Sequence, residues 1–233
     1  MKYTSKEFSN IHHVFQPIYH LKNNEIYGYE LLLRSASHPN PEKFFSLAKK
    51  NNQLYEVDMI SIEEAFQTIE KHKQILEDKY LFINIFPSTL LHKDFLLKFG
   101  SLQAKNKIDA NHIVFEVNEA EKAENLEDLN HILNELKSYG FQIALDDLGK
   151  GEFTFRSIVE LEPTIAKIDR FFSQGLKESS KKQKLLKLLL EFFESDSRVI
   201  LEGLEHEEDL ESAKSLGITF GQGFLLGKPE PLL

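Results

Sequence analysis

Short runs of β-branched and aromatic residues alternate along the chain with longer amphipathic stretches. The first two runs, 14–21 and 25–34, are joined by a Lys-Asn-Asn turn that predicts an antiparallel hairpin. Helical patterns follow at 41–50 and 56–76, the second with its apolar residues on one face. Further strand-like runs lie at 80–86, 113–117, 141–145, 165–168, 199–201 and 220–225, separated by helical stretches that begin at Ser88 and cover 126–139, 155–161, 181–194 and 206–216.

This alternation predicts an α/β fold. Strands separated by helices are expected to be parallel neighbours, because the crossover between parallel strands needs a dozen or more residues. Seven or eight such units in one chain favour a closed (β/α)8 barrel of the TIM type over an open sheet, although periodicity alone does not settle closure. No linker, repeat or low-complexity tract divides the chain, so we expect one domain over residues 1–233, with 1–12 as an N-terminal extension.

Composition narrows the classes of partner. The net charge of −9 argues against a groove that binds long nucleic acid through its phosphates, but bound cations would still allow a small phosphorylated ligand. The absence of cysteine excludes disulfides and thiolate metal sites. No apolar run reaches the roughly 18 residues of a membrane span, and the N-terminus lacks the apolar core of a signal peptide. We therefore expect a cytoplasmic protein with no membrane partner.

Polar residues interrupt or end the apolar strands at several places. They are Glu30, Asn84, Glu116, Asp146, Asp147, Lys167 and Glu202. A carboxylate in an apolar strand is costly to bury unless it is paired or binds a cation, and a single one is explained equally well by a structural ion pair. Five carboxylates and one amide near the ends of several strands fit that explanation poorly, because the C-terminal strand ends of a parallel barrel converge on one face.

Carboxylate and amide oxygens suit Mg²⁺ or Mn²⁺ better than zinc. The adjacent Asp146 and Asp147 are placed to bridge two such ions, and two ions about 3.5–4 Å apart clamp a phosphodiester and activate a water molecule. Lys167 would offset part of the repulsion and orient that water, or it is a buried counter-ion with no chemical role. His12 and His13 are expected in an exposed N-terminal segment rather than at a metal.

A series of short motifs runs in order from residue 15 to residue 231. They are Phe15-Gln16-Pro17-Ile18, Gly28-Tyr29-Glu30-Leu31-Leu32-Leu33-Arg34, Glu116-Val117-Asn118-Glu119, Asp146-Asp147-Leu148-Gly149-Lys150-Gly151, Lys167-Ile168-Asp169, Glu202-Gly203-Leu204-Glu205 and Gln222-Gly223-Phe224, with Asn84 in its own strand. Together they resemble the EAL family, which linearises cyclic di-GMP to pGpG in a barrel with one antiparallel strand, and whose members often dimerise.

The resemblance implies a role for each matching residue. Glu30, Asn84, Glu116, Asp146 and Asp147 would bind two Mg²⁺ or Mn²⁺ ions. Glu30, Lys167 and Glu202 would form the catalytic set, with Lys167 and Glu202 acting on the attacking water. The substrate would be bound by Gln16 near a guanine, Leu32, Arg34 at a phosphate, and Gln222 in the metal-water network. Glu119 and Glu205 would anchor the loop after Asp147.

The chain also departs from the family pattern. Leu31 replaces an alanine, Asn118 a threonine and Ser35 a tryptophan, and the loop 148–154 differs in Leu148, Lys150, Glu152, Phe153 and Thr154. Since that loop couples the second metal to the dimer contact in the family, turnover is less firmly implied than the fold. We also expect the final barrel helix to be missing. A cyclic di-GMP receptor or a protein-interaction module therefore stays open beside the phosphodiesterase, whereas the ordered motifs disfavour an enolase-like lyase.

Overall fold

Eight strands close into a barrel in the order in which they occur along the chain. The computed structural model describes residues 8, 10–106, 109–118, 121, 125–150, 154–193 and 197–232. The strands are β1 (Ile11–His20), β2 (Glu25–Ser35), β3 (Tyr80–Ile85), β4 (Ile113–Val117), β5 (Gln142–Leu148), β6 (Ile165–Ile168), β7 (Arg198–Leu201) and β8 (Phe220–Gln222). The predicted (β/α)8 barrel is confirmed.

The first strand runs against all the others. β1 pairs antiparallel with β2 across the predicted hairpin and antiparallel with β8 where the barrel closes. The pairs from β2 to β8 are parallel. The hairpin and the single antiparallel strand expected from the family resemblance are therefore confirmed. β1 begins at Ile11, which lies inside the stretch 1–12 that was assigned to an extension.

The helices surround the barrel. They are α1 (Pro41–Lys50), α2 (Leu54–Lys71), α3 (Lys73–Leu76), α4 (Pro87–Leu90), α5 (Phe95–Asn106), α6 (Leu126–Ser138), α7 (Phe155–Leu161), α8 (Ser180–Phe193) and α9 (Glu207–Ser215). The stretch predicted at 56–76 is divided between α2 and α3, and the stretch after Ser88 between α4 and α5. None of the described helices is long and apolar enough to cross a membrane.

The chain after β8 forms turns. The predicted strand at 220–225 stops at Gln222, and residues 223–232 contain no helix. This segment folds back across the barrel, where Glu230 and Phe15 exchange two backbone hydrogen bonds. These two bonds pair the backbone of β1 at Phe15 with the segment 223–232.

His13 does not lie in an exposed segment, so the expectation for it is wrong. Its side chain faces α2, where its Nε2 lies 3.3 Å from Ser61 Oγ and its Nδ1 contacts the carboxylate of Glu64. His13 is 6% exposed. Residues alternate sides along a strand, so His13 and Phe15 point outward to the helices whereas Gln16 points into the barrel.

Asp58 connects α2 to the start of α4. It is 1% exposed and accepts a hydrogen bond of 3.0 Å from the backbone N–H of Phe86, the residue before α4. Burial raises the pKa of Asp58 to about 7, and the Phe86 hydrogen bond opposes this only in part. The folded chain therefore holds a proton at Asp58 over a pH range in which an exposed aspartate has lost it.

Replacing Asp58 with asparagine should remove part of the pH dependence of stability. Between about pH 4 and pH 7 the folded state binds the additional proton, so the free energy of unfolding should fall as pH rises, by on the order of 4 kcal/mol from this group. Asp58→Asn keeps an acceptor for Phe86 without the titration. Urea unfolding of both proteins from pH 4 to pH 8 measures the difference, in which other carboxyl groups cancel.

The variant Asp58→Ala separates charge from hydrogen bonding. It leaves the Phe86 N–H without its acceptor and, compared with Asp58→Asn, should lower the free energy of unfolding by about 1–3 kcal/mol across the whole pH range. Parallel pH profiles for the wild type and Asp58→Asn would show that Asp58 does not titrate as described.

Candidate metal centre and active site

The site is built by strand alternation inside the barrel. Five apolar side chains with no exposed surface face the barrel interior on five successive strands, namely Phe82, Val114, Ala144, Ile165 and Ile200. Two residues further along the same strands stand Asn84, Glu116, Asp146, Lys167 and Glu202. Because side chains repeat their direction every second residue, each polar side chain points the same way as the apolar one before it, one step nearer the barrel mouth.

Lys167 lies at the centre of this group. Its Nζ is 2.7 Å from Glu116 Oε1, 2.8 Å from Glu202 Oε1, 3.0 Å from Asp146 Oδ1 and 3.4 Å from Glu30 Oε2. The lysine side chain is 1% exposed. One ammonium group thus contacts four carboxylates that come from four different strands.

Two amide side chains complete the contacts around Glu30. Asn84 Nδ2 donates to Glu30 Oε1 at 3.1 Å and to Glu116 Oε2 at 3.2 Å, and Gln222 Nε2 donates to Glu30 Oε2 at 2.7 Å. We refer to the resulting set of Glu30, Asn84, Glu116, Asp146, Lys167, Glu202 and Gln222 as the polar ring. The buried Gln222 Oε1 has no hydrogen-bond partner among the described residues.

The polar ring holds more negative charge than Lys167 can balance. Burial, together with repulsion from Glu30, raises the pKa of Glu116 well above its ordinary value. Burial likewise raises the pKa of Asp146, against the attraction of Lys167, and raises the pKa of Glu202 to about 8. Without further positive charge, part of the ring must therefore take up protons near neutral pH.

Two other members of the ring are shifted toward their charged forms. Burial acts to raise the pKa of Glu30, but Lys167 and the hydrogen bonds from Gln222 and Asn84 outweigh it, so the pKa falls below its ordinary value. Burial acts to lower the pKa of Lys167, but the surrounding carboxylates, Asp146 first, raise it well above its ordinary value. Lys167 is therefore a fixed cation and not a source of protons near neutral pH.

A backbone irregularity brings Asp147 to the same site as Asp146. The pairing of β5 with β6 changes register between Leu145 and Leu148, and Asp147 has φ of +54°. In a regular strand adjacent side chains point to opposite faces, so this bend is what allows both carboxylates to approach Glu202. Ligand oxygens of Asp146, Asp147 and Glu202 lie within 4.8 Å of one another.

This arrangement fits divalent cations. The donors are carboxylate and amide oxygens, which Mg²⁺ and Mn²⁺ prefer, and the raised pKa values of three carboxyl groups show a deficit of positive charge. The unpartnered oxygen of Gln222 is suited to a hydrogen bond from a water molecule near such a cation. All five predicted ligands, Glu30, Asn84, Glu116, Asp146 and Asp147, belong to this one area.

The predicted substrate-binding residues lie around the mouth of the barrel. Leu32 and Arg34 follow Glu30 on the same face of β2, and both line a cavity of about 360 Å³ that also contacts Glu30 and Asn84. Arg34 is half-buried and donates from Nη1 to its neighbour's carbonyl, Leu33 O, at 2.9 Å. Gln16 is buried opposite Glu30 on β1 and donates to Gly227 O at 3.2 Å.

The two predicted loop anchors are not part of the polar ring. Glu205 is exposed and lies beyond the end of β7. Glu119 lies outside the described residues, as do 151–153 of the loop that it would anchor. Their proposed role stays a prediction.

One wall of the cavity was not predicted from any sequence motif. Phe45 and Lys49 of α1 line it together with Phe86 and Glu121. Lys49 Nζ pairs with Glu121 Oε1 at 2.8 Å, and the other oxygen of Glu121 accepts from the backbone N–H of Ser88 at 2.9 Å. These contacts join residues up to 72 positions apart, so no local pattern announces them.

The sequence profile of the EAL domain matches residues 4–229. The chain belongs to the EAL domain family. It is 28% identical over 223 residues to the cyclic di-GMP phosphodiesterase PdeF of Escherichia coli K12, and 31% identical over 223 residues to the cyclic di-GMP phosphodiesterase PdeA of Borreliella burgdorferi. Each match covers 94% of this chain, but only 30% of PdeF and 33% of PdeA. The EAL domain thus spans about a third of those relatives.

A solved structure shares the fold. The EAL enzyme Bd1971, in a form with cAMP and cyclic di-GMP bound, superimposes with a TM-score of 0.86 at 26% identity, over 96% of this chain and 63% of that one. The resemblance that the motifs indicated is therefore confirmed at the level of family and fold.

In the absence of metal, replacing Lys167, the lysine at the centre of the polar ring, should lower the free energy of unfolding of this EAL domain. In Lys167→Met, four buried carboxylates lose their shared partner, and breaking a buried pair in this way lowers the free energy of unfolding by about 3–5 kcal/mol. The loss should be smaller at pH 5 than at pH 8, because protonated carboxyl groups repel one another less. Urea unfolding in the presence of a chelator measures it.

The exposed Lys181 of α8 provides a matched control. Lys181→Met should change the free energy of unfolding by no more than about 0.5 kcal/mol. If Lys167→Met were equally mild at pH 8, Lys167 would not be balancing the carboxylates of the polar ring.

Proposed function

We propose that this EAL domain is a metal-dependent phosphodiesterase that linearises cyclic di-GMP to pGpG with two divalent cations, Mg²⁺ or Mn²⁺. The observation that carries the proposal is the contact of Lys167 with four carboxylates at the mouth of the barrel, beside Asp147. A protein-interaction scaffold gains nothing from such costly burial of acids. Relatives named cyclic di-GMP phosphodiesterases support the choice of substrate.

In this proposal the acids of the polar ring hold the cations, and Lys167 offsets part of the repulsion between those acids. Two bound cations would supply charge stabilisation at the phosphate and would acidify a water molecule. Glu30, Asn84, Glu116 and Asp146 would bind on one side and Asp147 would complete the second position. Gln222 would orient water through its otherwise unpartnered oxygen.

Glu202 and Lys167 would act on the attacking water. Their side chains lie 2.8 Å apart, and Glu202 keeps 16% of its side chain exposed while Lys167 keeps 1%. Burial places the pKa of Glu202 at about 8, and a neighbouring cation would bring it lower. Glu202 can then accept a proton near neutral pH, while Lys167 stays charged and positions Glu202 toward that water through their contact.

The substrate would lie across the mouth of the barrel. Arg34 lines the same cavity as Glu30, and its guanidinium group is suited to bind a phosphate of the substrate. Leu32 offers apolar contact in the same cavity. Gln16, the cross-strand partner of Glu30 on β1, offers an amide for a guanine. These three roles stay predictions.

The second candidate is a cyclic di-GMP receptor with little or no turnover. It is favoured by one observation, the pairing of Asp147 Oδ2 with Lys150 Nζ at 2.5 Å, because this lysine occupies a carboxylate that the second cation requires. A receptor would bind the nucleotide through the same cavity without consuming it.

A product assay distinguishes the two candidates. Incubation of the purified protein with cyclic di-GMP and either Mg²⁺ or Mn²⁺ should produce pGpG, measured by chromatography. Asp147→Asn should reduce the rate by roughly 100-fold or more, the scale on which one lost transition-state contact acts. Calorimetric binding of cyclic di-GMP without any product would support the receptor, and neither binding nor product would contradict both.

We also propose that the chain acts as one barrel domain in the cytoplasm and forms a homodimer next to the loop after Asp147. Phe155 and Val159 of α7, which follows that loop, are 73% and 60% exposed and present an apolar surface.

Phe155→Asp should shift the protein toward monomer in sedimentation velocity. An unchanged sedimentation coefficient, with a dimeric wild type, would place the contact elsewhere.

A further inference from the structure

A second lysine contacts the acidic site from the solvent side. Lys150 Nζ lies 2.5 Å from Asp147 Oδ2, and the side chains of Lys150 and Asp147 are 58% and 27% exposed. The backbone N–H of Lys150 donates to Asp147 O at 3.1 Å, and Gly149 between them has φ of +103°. This tight turn at the end of β5 returns the chain toward the carboxylate, so the contact is set by the backbone.

Gly149 is required for that turn. Its positive φ is strained for other residues, and a Cβ there would lie 2.5 Å from Phe172 Cε2, a buried ring. The direction of the chain into Lys150 is therefore fixed by packing as well as by the hydrogen bond. The lysine is held within reach of Asp147 although most of its own side chain is exposed.

Asp147 is paired with a different lysine from the one that contacts Asp146 and Glu202. Lys167 contacts Asp146 and Glu202 from the barrel interior, whereas the ion pair of Asp147 among the described residues is with Lys150. Lys167 is enclosed by carboxylates and cannot leave. The side chain of Lys150 is flexible and 58% exposed, so its ammonium can be displaced from Asp147.

We propose that Lys150 competes with the divalent cation that Asp147 would bind, and thereby sets the affinity of the second cation position. The inference rests on the metal centre proposed above. A cation that binds Asp147 would either displace the ammonium from Oδ2 or bind beside it, and in both cases the tethered ammonium repels the cation. A cation held by the polar ring should be affected less, because the carboxylates of the ring are paired with Lys167.

The expected size follows from the exposure of the pair. An exposed ion pair contributes up to about 1 kcal/mol, and a tenfold change in affinity corresponds to about 1.4 kcal/mol. Breaking the pair therefore accounts for roughly a fivefold change, and removal of the tethered charge adds to it. We expect removal of Lys150 to tighten the weaker of two cation sites by about three- to tenfold.

Titration with Mn²⁺ alone tests the inference without substrate. Calorimetry and the loss of the free Mn²⁺ electron paramagnetic resonance signal are measured for the wild type, Lys150→Met and Lys150→Arg. Lys150→Met keeps the length of the side chain without its charge, and Lys150→Arg keeps the charge. The weaker site should tighten about three- to tenfold in Lys150→Met, while Lys150→Arg should bind as the wild type does. Lys181→Met, which removes an exposed lysine of α8 outside the polar ring, should leave both sites unchanged.

A double variant separates the local contact from general electrostatics. In the Asp147→Asn background the carboxylate that Lys150 occupies is gone and only the charge of Lys150 is left to act, so adding Lys150→Met should tighten Mn²⁺ binding clearly less than it does with Asp147 present. Equal tightening with and without Asp147 would overturn the inference, as would identical Mn²⁺ isotherms for Lys150→Met and the wild type. If the wild type binds no Mn²⁺, the proposed metal centre itself is wrong. Two sites of unchanged affinity in Lys150→Met would overturn only the role of Lys150.

Discussion

The structure depends on one buried interaction, the contact of the Lys167 ammonium with Glu30, Glu116, Asp146 and Glu202. Burial of four carboxylates is unfavourable, and one ammonium cannot neutralise them all. Their pKa values show the imbalance, since Glu30 is held below its ordinary value while Glu116 is raised well above it. A native fold retains such a group only where the cost is offset elsewhere or serves a purpose.

The offset comes from the barrel itself. The apolar side chains below the polar ring are completely buried, and the large core between barrel and helices surrounds them. That packing fixes each strand, so the acids cannot relax away from one another into solvent. The same rigidity holds the oxygens of the polar ring close together, as the proposed metal centre requires. If the site binds cations as proposed, their binding would stabilise the folded state according to their affinity, and stability and activity would respond to the same ions.

Much of this was predictable because strands impose a period of two. Apolar runs interrupted by Glu116 or Lys167 identified both the strands and the polar positions on them, and the short turn before Glu25 identified the hairpin. What failed depended on contacts between distant residues. His13 is paired with Glu64 on α2, 51 positions away, and Asp58 accepts a hydrogen bond from the backbone N–H of Phe86, 28 positions away. Local patterns contain no record of such partners. The break between α4 and α5 was missed for a related reason, since both helices pack on the same core and share one apolar pattern.

Lys167 and Lys150 carry the same charge, and their different positions at the site are set by the backbone from which each side chain extends. Lys167 extends from a strand whose direction is fixed by pairing on both sides, so its ammonium is placed where four acids meet. Lys150 extends from a turn, after the ladder between β5 and β6 has been disturbed at Asp147. That disturbance brings Asp147 toward the cation positions, and it also exposes the same carboxylate to a residue three positions later. The bend that brings Asp147 toward Asp146 and Glu202 thus also opens its carboxylate to the loop, and in the proposed metal centre the loop residue would decide how freely a cation reaches it.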